Sequence, residues 1–305
     1  MEDLMAYNID DRKLTEKVEW IALCEKRFSE QFFGIAEDIC KNRGLRIVRL
    51  YGPTCSGKTT AARLLISMFE SFGKKAHLVS IDDFFYNREV LEKRSKERGL
   101  KSLDYDSPDT IDCEELHRFA EEIFESDEVH CPIFDFKSGS RVGYKTLSID
   151  DDDIFIFEGI QACYPIVKEM LSEHGSASIF IAPQKKVSVD GVTLSPNRLR
   201  LMRRLVRDYH FRNSSPEFTF ELWKSVRDNE KKNIFPYAEE SDYCIDSAMP
   251  YELGVLKPFL CEILSTVSQD SEYYEKSRQI LDSIKNIEVI PAHLILDEYL
   301  YSEFV

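Results

Sequence analysis

The sequence predicts an α/β protein built on a mainly parallel sheet covered by helices on both faces. Two observations predict it. Short apolar strand patterns alternate with amphipathic helical patterns along most of the chain, and such alternation is what parallel strands joined by helical crossovers require. One of those strands runs straight into a glycine-bounded turn and then a helix, Leu45–Tyr51 followed by Gly52-Pro53-Thr54-Cys55-Ser56-Gly57-Lys58-Thr59.

In chain order, residues 11–41 place Leu14, Val18, Ile21, Phe28, Phe32, Ile35 and Ile39 at near-helical spacing. That pattern stops at Asn42-Arg43-Gly44, a helix-ending signal. Leu45–Tyr51 is a β-rich run, and Lys58–Phe72 is helical up to Gly73. His77–Ile81 reads as a strand, and Arg88–Lys101, highly charged and poor in apolar residues, as an exposed excursion. Cys113–Phe124 is an amphipathic helix; Ile154–Phe157 and Ser178–Ile181 are apolar strands. Gly191, Ser195 and Pro196 mark a loop before a basic helix, Asn197–Phe211. Phe218–Lys232 is helical, Tyr243–Ile245 is a short strand, and Leu253–Val267 and Ser271–Ile284 are helical. The expected organisation is a core domain at 44–250, a helical extension at 1–43, and a second at 251–305 packed on the same domain. Packing of these ends against the core, or against a partner subunit of a homo-oligomer, is the plain expectation.

Composition narrows the function classes. A chain of 305 residues with net charge -15 repels nucleic acid and anionic membranes as general partners. The start, MEDLMAYNIDDRK, lacks the apolar segment of a secretory signal, and no apolar run has the length of a membrane span. The eight cysteines include no C-x-x-C pair, which fits reduced thiols in a cytoplasmic protein. The acidic balance leaves room for a small anionic ligand, which needs only local positive charge.

The turn at Gly52–Thr59 matches G-x-x-x-x-G-K-[ST] in its required strand-to-helix setting. Its glycines let the backbone wrap phosphate with N–H groups inward, and the following helix adds its positive end. The loop Gly52, Pro53, Thr54, Cys55, Ser56, Gly57 with Lys58, Thr59 and Thr60 is therefore a candidate ATP site. Lys58 would reach the β and γ phosphates, and the Thr59 hydroxyl would bind Mg²⁺. This makes the fold class a P-loop NTPase-type sheet. Asp82-Asp83 follow the next strand, and Glu158 ends Ile154–Phe157. In such folds strand ends deliver residues to the ligand edge. There an aspartate can take a proton from a substrate hydroxyl, and Glu158 can contact the metal. Arg198, Arg200, Arg203, Arg204, Arg207 and Arg212 crowd one segment of this acidic chain. Arg200, Arg203, Arg204 and Arg207 share one helical face, a lid stripe suited to closing over ATP and neutralising the transferred phosphoryl group.

In order, GPTCSGKTT, DDFFY, Asp104-Tyr105-Asp106-Ser107-Pro108-Asp109, Pro132-Ile133-Phe134-Asp135-Phe136, FEGI at 157–160 and Arg203-Arg204-Leu205-Val206-Arg207-Asp208 resemble the uridine kinase and phosphoribulokinase family across Leu45–Tyr251. The stretches Trp223–Arg227 and Asn233–Pro236 are similar to bacterial members, as is the tail from Ile290-Pro291 to Tyr299-Leu300. The resemblance implies phosphorylation of a primary hydroxyl of a small-molecule acceptor, the ribose 5′-OH in uridine kinases. It makes Asp83 the base, with Tyr86 near the substrate, Asp106 on ribose hydroxyls and Phe134 and Phe136 flanking the base pocket. The family's lid arginines fall on Arg204, Arg207 and Arg212.

Three positions depart from the family pattern. Phe134 stands where uridine and cytidine kinases carry tyrosine, Gly139 where they carry a base-selecting histidine, and Ser214 where they carry a second lid arginine. The transfer machinery is complete and base recognition is altered. Three readings follow: a nucleoside kinase with changed base preference, a kinase of a sugar, sugar phosphate or pantothenate-like acid, and a non-catalytic NTP-binding regulator. Asp83 and Glu158 speak against the third.

Overall fold

A computed structural model describes residues 6–7, 14–42, 44–97, 99, 107–173 and 175–291. Its centre is a five-stranded, fully parallel sheet formed by β2 (Ile47–Tyr51), β3 (Ala76–Ser80), β6 (Ile154–Glu158), β7 (Ser176–Ala182) and β10 (Tyr243–Asp246), in the order β10-β7-β2-β6-β3. A two-residue strand β1 (Ala6–Tyr7) pairs with a small hairpin of β8 (Val187–Val189) and β9 (Val192–Leu194). A second hairpin, β4 (Glu128–Asp135) with β5 (Ser140–Ser148), stands apart as its own two-stranded sheet.

The central strands β2, β6 and β7 are buried on both faces, and their side chains alternate between two cores, while the edge strands β3 and β10 are partly exposed. Val48, Leu50, Ile154, Ile156, Ile179 and Ile181 enter one core. Ile47, Tyr51, Phe155, Phe157 and Phe180 enter the other. This is period-two geometry applied to strands that read as continuous apolar runs. The first core is shared with α1 (Leu14–Lys41), α2 (Lys58–Ser71), α6 (Pro196–Arg212), α8 (Glu252–Ser265) and α9 (Tyr274–Ile284). The second is shared with α4 (Cys113–Glu125) and α5 (Pro165–Leu171). Phe220 of α7 (Pro216–Asn233) also enters the first core, and the remaining helix is α3 (Arg88–Glu97).

Three local outcomes differ from the sequence pattern. Arg88–Lys101 contains a helix, α3, in which Leu91 is the buried residue; its polarity reflects exposure, not absence of structure. The β4–β5 hairpin was not legible because β5 has no buried position, so no apolar alternation marks it. The loop expected around Gly191 is the tight turn of the β8–β9 hairpin, with Asp190 and Gly191 at positive φ. Serines cap the two helices beyond it: Ser195 accepts from Arg198 N–H and Ser215 from Phe218 N–H, each followed by proline at the first turn. All eight cysteines are free thiols. Among the described residues no helix is long and apolar enough to cross a membrane.

Candidate active site

Sheet register brings the predicted carboxylates beside the phosphate loop. Leu50 of β2 pairs with Glu158 of β6, and Glu158 pairs with Ser80 of β3. The loop leaving β2, the acid ending β6 and Asp82-Asp83 in the single 3-10 turn after β3 therefore lie on three adjacent strand ends. The loop, Glu158 and Asp82 line a cleft of about 340 Å³ together with residues of α6 and α7; Asp83, the next residue, lies outside its wall. Thr54, Lys58, Thr59, Glu158, Phe136, Arg204, Arg207 and Arg212 are all in its wall.

The loop's shape is dictated by a few positions. Cys55 (φ 55°) and Gly57 (φ 90°) are left-handed, which turns successive N–H groups toward one concave side. Gly57 is also the N-cap of α2. Gly52 has no alternative, because a Cβ there would lie 2.0 Å from the Ile181 carbonyl oxygen of β7. The Lys58 ammonium donates to the carbonyls of Gly52 (3.2 Å) and Pro53 (3.4 Å), so it lies across the mouth of the cradle.

On the acceptor side, Asp83 is half-buried and its Oδ1 accepts the Phe134 N–H at 3.1 Å. Burial pushes its carboxyl above the ordinary carboxylate value, and the Phe134 N–H partly offsets this. The bond locks the β4–β5 hairpin onto the turn after β3, at the bulge where the hairpin register shifts between Ile133 and Phe134. Phe85, Phe134 and Phe136 then form an edge-to-face cluster with centroids 5.3–6.2 Å apart. Burial first, and the charge of Asp83 second, push the nearby Cys131 thiol up to about 12. It is therefore no nucleophile at neutral pH.

The arginine stripe of α6 is divided by what it meets. The helix is anchored, with every residue from Leu199 to Val206 buried. Arg204 and Arg207 face the cleft and are held by one buried acid, Asp208: Arg204 Nε donates to Oδ2 (2.9 Å) and Arg207 Nη2 to Oδ1 (2.8 Å). Arg212 approaches the same carboxylate at 3.9 Å. Arg200 and Arg203 are not in the cleft wall. Arg203 pairs with Glu252 (2.6 and 2.8 Å) and donates to the Cys55 carbonyl (3.3 Å). Arg203, a candidate nucleotide contact by sequence, lies behind the loop, with its guanidinium on Glu252, the Ser247 carbonyl and the Cys55 carbonyl.

Tyr86 is outside the cleft wall, with the Arg94 guanidinium 4.0 Å from its ring centroid. Asp106 and most of the segment before Ser107 lie outside the described residues, as does the tail beyond Pro291. Asp82, Phe85, Gln161, Asn229 and Glu230 line the cleft without having been singled out. Asp82 and Phe85 were within reach of the strand-end argument. Glu230 carried no local signal.

Gly139 takes its meaning from Arg88. It sits at φ 69°, and a Cβ there would come within 2.6 Å of Arg88 Nε and 3.0 Å of Arg88 Cβ. The Arg88 N–H donates to the Gly139 carbonyl at 2.7 Å. Replacing Gly139→His is expected to destabilise the fold by about 1–2 kcal/mol, from left-handed strain and crowding, without creating pyrimidine selectivity. Thermal melts and acceptor profiles of the variant check both parts.

The description "Phosphoribulokinase / Uridine kinase family" belongs to the family model that matches residues 47–253, more than half of the chain. A uridine kinase of Ureaplasma parvum serovar 3 is 28% identical over 180 residues, covering 59% of this chain and 77% of that protein. The uridine-cytidine kinase B of Dictyostelium discoideum is 26% identical over 233 residues, 76% of this chain and 86% of that one. Among solved structures, the phosphoribulokinase from Rhodobacter spheroides has 14% identity and a TM-score of 0.44, covering 80% of this chain and 99% of that chain. The family model spans more than half of the chain, and the chain belongs to the phosphoribulokinase / uridine kinase family.

Proposed function

We propose that this protein is an ATP-dependent kinase that phosphorylates a hydroxyl of a small metabolite, the 5′-OH of a nucleoside being the leading acceptor. The observation that carries this reading is the meeting of the phosphate loop, Glu158 and Asp83 on three adjacent strand ends. A cradle for phosphates and a half-buried base beside an aromatic wall are the two halves of a transfer site.

Asp83 takes the proton of the acceptor hydroxyl as its oxygen bonds to the γ-phosphorus and the bond to the ADP oxygen breaks. Arg204, Arg207 and Arg212 face the same cleft and stabilise charge on the moving phosphoryl group. The donor set suits Mg²⁺: Thr59 and Glu158 line the cleft together, and the described residues hold no cluster of three or more His, Cys, Asp or Glu that would form a self-sufficient metal cage. A hard cation that keeps phosphate and water oxygens among its ligands fits such a pair. Bound there, Mg²⁺ would neutralise phosphate charge.

A second reading, a non-nucleoside acceptor such as a sugar, sugar phosphate or pantothenate-like acid, is favoured by one observation. Arg88 occupies the space into which a side chain at position 139 would project, so base selection from that position is closed. A site that lacks a hydrogen-bond partner for a base loses discrimination by a large factor. Coupled ADP-release assays over nucleosides, sugars and small hydroxy acids decide between them. Stimulation by uridine or cytidine is expected under the first reading; stimulation only by a non-nucleoside would replace it with the second.

A further inference from the structure

The wall of the phosphate loop away from the strands is made by a buried ion pair. Arg200 and Glu230 are almost wholly buried, with side chains 1% and 2% exposed, and are joined by two bonds of 2.6 and 2.8 Å. They come from different helices, α6 and α7, thirty residues apart. The same pair holds both ends of one loop residue: Arg200 Nη1 donates to the Thr54 carbonyl (3.0 Å), and Glu230 Oε1 accepts the Thr54 N–H (3.3 Å). Arg227, one turn earlier on α7, also pairs with Glu230, and the Arg200 guanidinium lies 5.5 Å from the Trp223 ring. Thr54 immediately precedes the left-handed Cys55.

We propose that Arg200 and Glu230 are positioning residues for the phosphate loop, acting as a clasp on Thr54 that sets the peptide orientation from which the N–H cradle is built. A buried pair of this kind adds little to stability over an apolar pair of equal volume. Its distinctive contribution is directional: guanidinium and carboxylate spend their spare capacity on a carbonyl and an amide that a methyl group could not orient. The pair also ties α7 to the loop, and Val226, Asn229 and Glu230 of α7 share the cleft wall with Thr54. The position of α7 is thereby transmitted to the nucleotide site. The inference rests on the loop binding phosphate and is independent of the acceptor.

The test is the double variant Arg200→Met/Glu230→Leu, which removes both fully buried charges together and leaves Arg227, whose side chain is 15% exposed, with access to solvent. Single removal would strand an unpaired buried charge and unfold the protein for an unrelated reason. The double variant is expected to melt within a few degrees of the parent, to bind Mg-ADP at least tenfold more weakly by calorimetry, and to show a KM for ATP raised by a larger factor than kcat is lowered. Parental Mg-ADP affinity in a folded double variant would overturn the proposal, as would a fall in kcat with KM for ATP unchanged. Should the double variant not fold, Arg200→Lys keeps the charge opposite Glu230 but has no second nitrogen for the Thr54 carbonyl. Weakened Mg-ADP binding by several-fold is then expected, and parental binding would overturn the clasp.

Discussion

Asp83→Asn is expected to lower kcat by about a hundred- to ten-thousandfold, on the order of 3–5 kcal/mol in barrier, while Mg-ADP binding stays close to the parent. The amide keeps the size of the carboxylate and can still accept the Phe134 N–H, so the hairpin stays docked and only proton acceptance is lost. The pH dependence follows from the direction of the Asp83 shift. Burial raises its pKa, so the folded state binds this proton more readily than the unfolded chain does. The charged form therefore costs stability: that cost is absent below the ordinary carboxylate pKa and is fully felt above the raised one. Asp83→Asn should accordingly melt at a slightly higher temperature than the parent at neutral pH. The acid limb of kcat/KM in the parent should lie above the ordinary carboxylate range. Near-parental turnover in the variant would reject Asp83 as the base.

Gly52→Ala is the other large effect. The added methyl would fall 2.0 Å from a backbone oxygen of β7 and 2.9 Å from Ser56 Oγ. A backbone atom of a residue paired to the neighbouring strand β10 cannot move aside as a long side chain can. The expected cost is about 3 kcal/mol, with loss of detectable nucleotide binding because the loop must pull away from β7. Thermal melts with and without Mg-ADP check this: the variant should melt lower and show no ligand-induced shift. Parental stability together with a parental shift would mean that the loop path at Gly52 is wrong.

The donor side was legible in the sequence because it is contiguous. Gly52 to Thr59 form a strand–loop–helix unit whose demands are local, and Glu158 and Asp83 are each fixed by the end of one apolar strand. Sheet order then makes those ends neighbours. The clasp was illegible for the opposite reason. Arg200, Arg203, Arg204 and Arg207 look alike in sequence and do share one broad helical face, but the packing of α7 and α8 decides which of them meet the loop and which meet the cleft. Glu230 lies on a helix rich in charge, where nothing local marks it as buried. The hairpin carrying Phe134 and Phe136 has one solvated strand, so no apolar periodicity announced it. Gly139 could be seen as an unusual residue, but its closure by Arg88 depends on a contact with the start of α3.

The central claim is that a phosphate-loop donor and a base at Asp83, on adjacent strand ends, act on one acceptor hydroxyl. The most direct measurement is ³¹P NMR of the purified protein with Mg-ATP and a pool of nucleosides, sugars and hydroxy acids, run alongside Asp83→Asn. A phosphomonoester signal growing in step with ADP in the parent, and absent from the variant over the same time, is the predicted result. Release of ADP with inorganic phosphate alone, at equal rates in parent and variant, would contradict it.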